Sequence, residues 1–130
     1  MAQFPNETTG SGEFDRQPDE FRDWITLDES SGFPPDKKRY HLYVSLACPW
    51  AHRTIITRRL KKLEKIVGMT IVDPIRTDEE GWRFTDRGDP LIKEYGPDPV
   101  NNFQFLKEAY RATDPKFAGR VTVPVLWDKT

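Results

Sequence analysis

Apolar residues come in short blocks separated by long polar stretches, and their spacing changes along the chain. Tyr40-His41-Leu42-Tyr43-Val44-Ser45 is a run of aromatic and aliphatic residues without strict alternation, which predicts a strand buried on both faces. From Cys48-Pro49 the spacing turns helical. Ala51, Ile55, Ile56, Leu60 and Leu63 make an apolar stripe, while Arg58, Arg59, Lys61, Lys62 and Lys65 cover the outer side. The predicted helix opens at Cys48-Pro49, runs to about Ile66 and stops at Gly68. Met69-Thr70-Ile71-Val72 reads as a second strand, closed by Asp73-Pro74. Strand, helix and strand with so short a crossover form a βαβ unit, with parallel strands and a right-handed connection.

Residues 76–101 do not continue this rhythm. They are rich in Asp, Glu, Gly and Pro, with Trp82, Phe84, Leu91, Ile92 and Tyr95 spread among them. A connection of this length usually has a function. Asn101 or Asn102 is positioned to cap a helix over Phe103–Ala112, whose buried face would be Phe103, Leu106, Ala109 and Tyr110. Asp114-Pro115 ends that helix, Gly119 turns, and Val121–Trp127 leads into a third strand. Pro124, at the entrance to this strand, has two readings: an ordinary trans proline at a strand start, or a cis peptide. A cis Val123-Pro124 bond would turn the backbone N–H and C=O of Val123 outward, free to pair with a peptide-like ligand. The surrounding order of elements favours the cis form.

Composition narrows the class. At 130 residues the chain is one domain's length. A formal net charge of −1 gives no whole-chain footprint for nucleic acid. One cysteine and two histidines, His41 and His52, cannot assemble a structural zinc site, so no metal is expected. A lone cysteine also fits a reducing compartment. No apolar stretch reaches the roughly 20 residues needed to span a bilayer. The start of the chain is acidic rather than basic and apolar, unlike a signal peptide. A cytoplasmic location with no membrane partner is the expectation.

Charge is unevenly spread: Met1–Ser31 holds eight acidic and two basic residues, whereas Arg53–Lys65 holds six basic and one acidic. Residues 1–38 are read as an acidic N-terminal extension, partly disordered, whose first dozen residues are a mobile arm. Phe14, Phe21, Trp24 and Ile25 leave residues 13–36 open to two readings, a solvated tail or a segment docked on the folded body. Residues 39–130 form the domain, with 76–101 as a long loop insertion.

Cys48 carries the candidate chemistry. A cysteine at the mouth of a helix meets the unpaired N–H groups of the first turn and the positive end of the helix dipole, which favour thiolate over thiol. Pro49 suits the first helical position, and Pro49 and Trp50 form the helix start that supports the thiolate. Dithiol oxidoreductases place a second cysteine three residues on, and here that position is Ala51. Any disulfide chemistry must take its second sulfur from another molecule. The competing reading of Cys48 is a small buried hydrophobe. Arg53 either adds to thiolate stabilisation or pairs with the acidic arm. His52 is not needed as a base for a thiolate the helix already favours.

Cys48-Pro49-Trp50-Ala51-His52-Arg53, Gly81-Trp82-Arg83-Phe84 and Gly119–Lys129 together resemble the glutathionyl-hydroquinone reductases, or xi-class glutathione transferases. Phe14-Asp15-Arg16 and Phe21-Arg22-Asp23-Trp24 resemble that family's N-terminal extension. The resemblance implies an α/β, thioredoxin-like glutathione transferase N-terminal domain, truncated before the fourth strand, the third helix and the helical C-terminal domain. It implies that Cys48 is the nucleophile that takes glutathione from a glutathionyl-hydroquinone as a mixed disulfide, which a second thiol resolves. Glutathione is then the co-substrate. Val123 would bind its cysteinyl part through the backbone, with Pro124 cis, and Trp82 would pack over the thiol; its other reading is a pin holding the long loop to the core. Lys107 falls where the family has an arginine for a glutathione carboxylate, keeping the charge without the guanidinium fork. The implied partners are a small-molecule thiol and a quinone-derived conjugate, with a homodimer in a full-length parent. The alternative is a catalytically incompetent thioredoxin-fold interaction module.

Overall fold

The computed structural model describes residues 7–130. Three strands and two helices follow in the order β1 (Tyr40–Val44), α1 (Pro49–Leu60), β2 (Gly68–Ile71), α2 (Leu106–Thr113) and β3 (Val125–Asp128). The sheet order is β2-β1-β3, so the first strand lies in the middle. All five residues of β1 are buried, as its unbroken apolar run predicts. β2 pairs parallel to β1 from His41↔Gly68 to Val44↔Ile71, as the βαβ reading requires. β3 pairs antiparallel on the other side, from Tyr40↔Asp128 to Tyr43↔Val125.

The core gathers on this central strand. Leu42, Tyr43 and Val44 join Ala51 of α1, Ile71 and Val72 at β2, Phe84 of the long loop, Leu106 and Ala109 of α2, and Val123. His41 is the polar exception in β1. Its Nε2 pairs with Thr70 Oγ1 at 2.7 Å, and burial pushes its pKa below 6.5.

Gly68 is not a helix stop. It is the first residue of β2, and a Cβ there would run into the His41 ring, so the parallel pair needs glycine at this register. α1 therefore ends earlier than its pattern predicts, at Leu60 rather than Ile66. Lys62 takes a left-handed φ of 55°, and the Leu63 amide bonds back to the Arg58 carbonyl at 2.9 Å. Arg58 then holds the following turn, its Nε donating to the Val67 carbonyl at 2.7 Å. The predicted stripe is likewise only half used. Ala51 is fully buried and Ile55 packs on the core, but Ile56 and Leu60 are 56% and 77% exposed.

α2 is displaced for a different reason. Asp98 captures the amides of Val100, Asn101 and Phe103 at 3.0, 3.1 and 3.2 Å, which makes the asparagine region a turn instead of a cap. Helix formation waits until Phe105, where the Glu108 carboxylate accepts the Gln104 and Phe105 amides, each at 2.7 Å. Asp98 is 1% exposed and also accepts the Tyr43 hydroxyl at 2.8 Å. Burial, and then this bond to Asp98, push the Tyr43 pKa up. Four donors offset the desolvation of one carboxylate, and they tie the long loop to the central strand. Further ties are the Ile71↔Tyr95 bridge and the Phe84 amide to the Gln104 carbonyl at 2.9 Å. Among the described residues no helix is long and apolar enough to cross a membrane.

Arg39 and Asp128 clamp the open ends of β1 and β3. Nε donates to Oδ1 at 2.8 Å and Nη2 to Oδ2 at 2.6 Å, a two-pronged pair. The Arg39 bond is the main cause that lowers the Asp128 pKa from 3.8 to about 2. Folding favours the ionised form, so this stabilisation is complete above pH 3.8 and is lost as pH falls from 3.8 to about 2. Asp128→Asn is expected to lower stability at neutral pH by about 1–2 kcal/mol. It should also flatten the loss of stability across that acid window, measured by urea unfolding at a series of pH values.

Candidate active site around Cys48

The strand register brings the two informative motifs of the sequence together. β3 runs antiparallel to β1 with Tyr43 opposite Val125, so the chain leaving β1 meets the chain entering β3. Cys48 follows the first and Val123-Pro124 precedes the second, and the Val123–Pro124 peptide is cis. Cys48 Sγ lies 3.7 Å from the Val123 carbonyl oxygen, in donor position.

Cys48 is the N-cap residue of α1, extended at φ −104° and ψ 113°, with Pro49 opening the helix. Its amide donates to the Ser45 carbonyl at 3.2 Å, and its carbonyl accepts the His52 amide at 3.3 Å. The side chain makes no capping bond, and no acidic residue stands in the first turn. The thiol is thus held at the positive end of the helix, half-buried and facing Val123. Ala51, where a second cysteine would stand, is fully buried against the core.

A cavity of about 610 Å³ opens at this point, within the size range of small-molecule sites. Five of the residues singled out in the sequence touch it or shape it directly: Cys48, Trp50, Trp82, Val123 and Pro124 line its wall. Pro49 stands between Cys48 and Trp50 at the start of the helix. Trp82 packs against the core, and its carbonyl accepts the Leu106 amide at 2.9 Å, so one residue both lines the cavity and pins the loop. Lys107 is placed apart. It lines a neighbouring cavity of about 310 Å³, and its Nζ sits 4.8 Å from the Phe105 ring centroid. Among the described residues no cluster of ligating side chains could hold a metal ion.

Several lining residues were not singled out from the sequence. Tyr110 was placed only on a buried helix face. Its hydroxyl donates to the Thr122 carbonyl at 3.0 Å and accepts the Thr122 amide at 3.3 Å, which steadies the backbone just before Val123. Arg76 and Arg120 line both cavities. Burial, and then the like charge of Arg120, depress the Arg76 pKa. No local signal marks either arginine, since each is an isolated cation in an irregular segment.

The N-terminal extension supplies the remaining wall. Phe21 stacks on Phe117 and tilts against Tyr110, each centroid 5.6 Å away. The Arg16 guanidinium lies 5.7 Å from the Trp50 ring centroid, and Arg53 covers the same ring at 5.0 Å. Arg53 makes no ion pair with the acidic segment among the described residues, so the Trp50 ring is its observed partner. A Cβ at Gly119 would lie 2.8 Å from the Glu20 carboxylate, so glycine there lets the extension approach closely. The arm expected over the first dozen residues falls partly outside the described residues. Within them, Thr8 bridges Phe14, and Glu7 is 1% exposed with Arg120 on its carboxylate at 3.0 Å.

A thiol at the N-cap of a helix, facing a cis-proline segment across a mixed sheet, defines a thioredoxin-like domain. Residues 47–130 match the family described as glutathione S-transferase, N-terminal domain, and the chain belongs to that family. It is 44% identical to the glutathionyl-hydroquinone reductase YqjG of Escherichia coli, over 97% of this chain and 38% of that protein. It resembles the crystal structure of the glutathione S-transferase Xi from Phanerochaete chrysosporium with a TM-score of 0.80 and 47% identity, over 94% of this chain and 37% of that one. The glutathione-bound structure of YqjG from Escherichia coli K-12 superposes with a TM-score of 0.73 at 46% identity, over 84% of this chain and 36% of that one. The chain therefore spans under two-fifths of the length of these relatives.

The buried Glu7 carboxylate also accepts the Gln17 amide at 3.2 Å, which makes it the inner anchor of the extension. Glu7→Ala is expected to speed hydrogen exchange at the Gln17 amide by tenfold or more, the equivalent of about 1.5–3 kcal/mol for a bond to a charged group. Exchange in β1 should be unchanged. Equal acceleration in both would place Glu7 in the core rather than on the strap.

Proposed function

We propose that this domain carries the thiol site of a glutathione-dependent reductase that acts on glutathionyl-hydroquinones, with Cys48 as its nucleophile. The observation that carries the reading is the placement of the chain's single cysteine at the N-cap of α1, 3.7 Å from the Val123 carbonyl, at a cavity of about 610 Å³. The name of the Escherichia coli relative and the glutathione in its structure support it.

The thiolate attacks the glutathione sulfur of the conjugate. A sulfur–sulfur bond forms, the sulfur–aryl bond breaks, and its electron pair goes to the ring carbon, which takes up a proton. Hydroquinone leaves, and Cys48 holds glutathione as a mixed disulfide. A second glutathione thiolate attacks the bound glutathione sulfur, releasing glutathione disulfide and restoring the Cys48 thiolate. The ring carbon is reduced and two thiols' worth of sulfur is oxidised, so no further reductant is required. With Ala51 in place of a resolving cysteine, the second step must use a thiol from solution.

Within this reading the backbone of Val123, beside cis Pro124, holds the cysteinyl part of glutathione as an added strand would. Trp82 closes over it, and Pro49 and Trp50 keep the helix mouth aimed at the sulfur. Lys107 faces the neighbouring cavity and takes no part. The reaction suits a reducing cytoplasm, and the longer relatives leave room for a second domain and a homodimer contact in the whole protein.

Incubation with a glutathionyl-hydroquinone should release hydroquinone and leave one glutathione on the wild-type chain, seen by mass spectrometry. Cys48→Ser should give neither product while keeping the wild-type circular dichroism spectrum. Retained release in the serine variant, or no adduct on the wild type, would leave the interaction-module reading in its place.

A further inference from the structure

Three of the chain's four tryptophans border the Cys48 cavity, and two of them are already engaged. Trp50 carries the Arg16 guanidinium at 5.7 Å and that of Arg53 at 5.0 Å. Trp82 packs against the core. Trp24 differs from both. It is 79% exposed, and no ring or cation among the described residues stacks on it. So much bare indole at the rim of a cavity is costly in water and marks a contact surface.

Its position is built rather than incidental. Three residues earlier, Phe21 is held in the notch between Tyr110 and Phe117. On the near side Arg16 is latched over Trp50, and beyond Trp24 the Thr26 amide bonds the Phe33 carbonyl at 3.1 Å. The stretch between these anchors crosses the mouth of the thiol cavity and presents Trp24 there, with the carboxylates of Glu20 and Asp23 on the same wall. A flat ring stacks on an indole face, and a hydroquinone ring also has hydroxyl donors for carboxylates. An alkyl group offers neither.

We propose that Trp24 is the specificity-determining residue for the leaving group, stacking on the aryl ring of the conjugate whose sulfur Cys48 attacks. The proposal rests on the reductase reading above and adds to it the side of the site that chooses aryl over alkyl partners. The acidic extension is then part of the substrate site.

The test compares two glutathione donors on the same chain, with Cys48 glutathionylation followed by mass spectrometry. One donor is a glutathionyl-hydroquinone. The other is glutathione disulfide, from which Cys48 takes one glutathione and releases the other as the thiol. Trp24→Ala should slow transfer from the aryl donor about tenfold, the scale of a lost aromatic stack, and leave transfer from glutathione disulfide unchanged. Trp24→Phe should restore most of the aryl rate. Equal slowing of both donors, or of neither, overturns the assignment. Wild-type chain that reacts with glutathione disulfide but not with the aryl donor overturns it too, while leaving a working thiol site. Wild-type chain that reacts with neither removes the reductase reading, and this proposal with it.

Discussion

The site depends on one constraint: β1 is the central strand, and β3 returns antiparallel to it with Tyr43 opposite Val125. Cys48 and Val123 are 75 residues apart in sequence, and nothing local relates them. The pairing brings the end of β1 and the start of β3 to the same edge of the sheet. Burial of β1 on both faces makes a slip in register costly, because a shift of one residue would turn every side chain over. The Arg39–Asp128 clamp closes the opposite end of the same strand pair. Sheet register is therefore what sets the distance from the thiol to the Val123 carbonyl.

Two irregular segments are fastened to this frame by buried carboxylates. Asp98 holds the long loop to Tyr43, and Glu7 holds the extension to Arg120. Burying a carboxylate costs several kcal/mol unless donors replace its water. Asp98 meets this with four donors, three of them backbone amides, whereas Glu7 uses a guanidinium and one amide. Such anchors place a chain without requiring regular structure, and they let Trp82 and Trp24 reach one cavity from different segments.

Where local chemistry decides the structure, the sequence was readable. The apolar run Tyr40–Val44, the Cys48-Pro49 helix start, the parallel second strand and cis Pro124 all appear as expected. Tertiary contacts overrode the local signals elsewhere. Gly68 looked like a helix stop but is needed against the His41 ring, and α1 gives way at Lys62 instead. Asn101 and Asn102 looked like caps, but the distant demand of the Asp98 carboxylate took their region into a turn. Ile56 and Leu60 have helical spacing that the sheet does not use. The Cys48, Trp50, Trp82, Val123 and Pro124 cluster was legible from motifs. Lys107 was not placed with it, because the family position fixes a charge on α2 but not the direction of the side chain. Arg76, Arg120 and the Arg16–Trp24 wall carry no local signal, since they become neighbours of the thiol only after the extension docks.

The most direct measurement is the change in backbone amide shifts when the isotope-labelled protein is converted to the Cys48–glutathione mixed disulfide. If the register of β1 and β3 builds the site, the Val123 amide will move strongly along with the first turn of α1, and the Lys107 amide will stay in place. Shifts confined to the first turn of α1, with Val123 unchanged, would contradict the account.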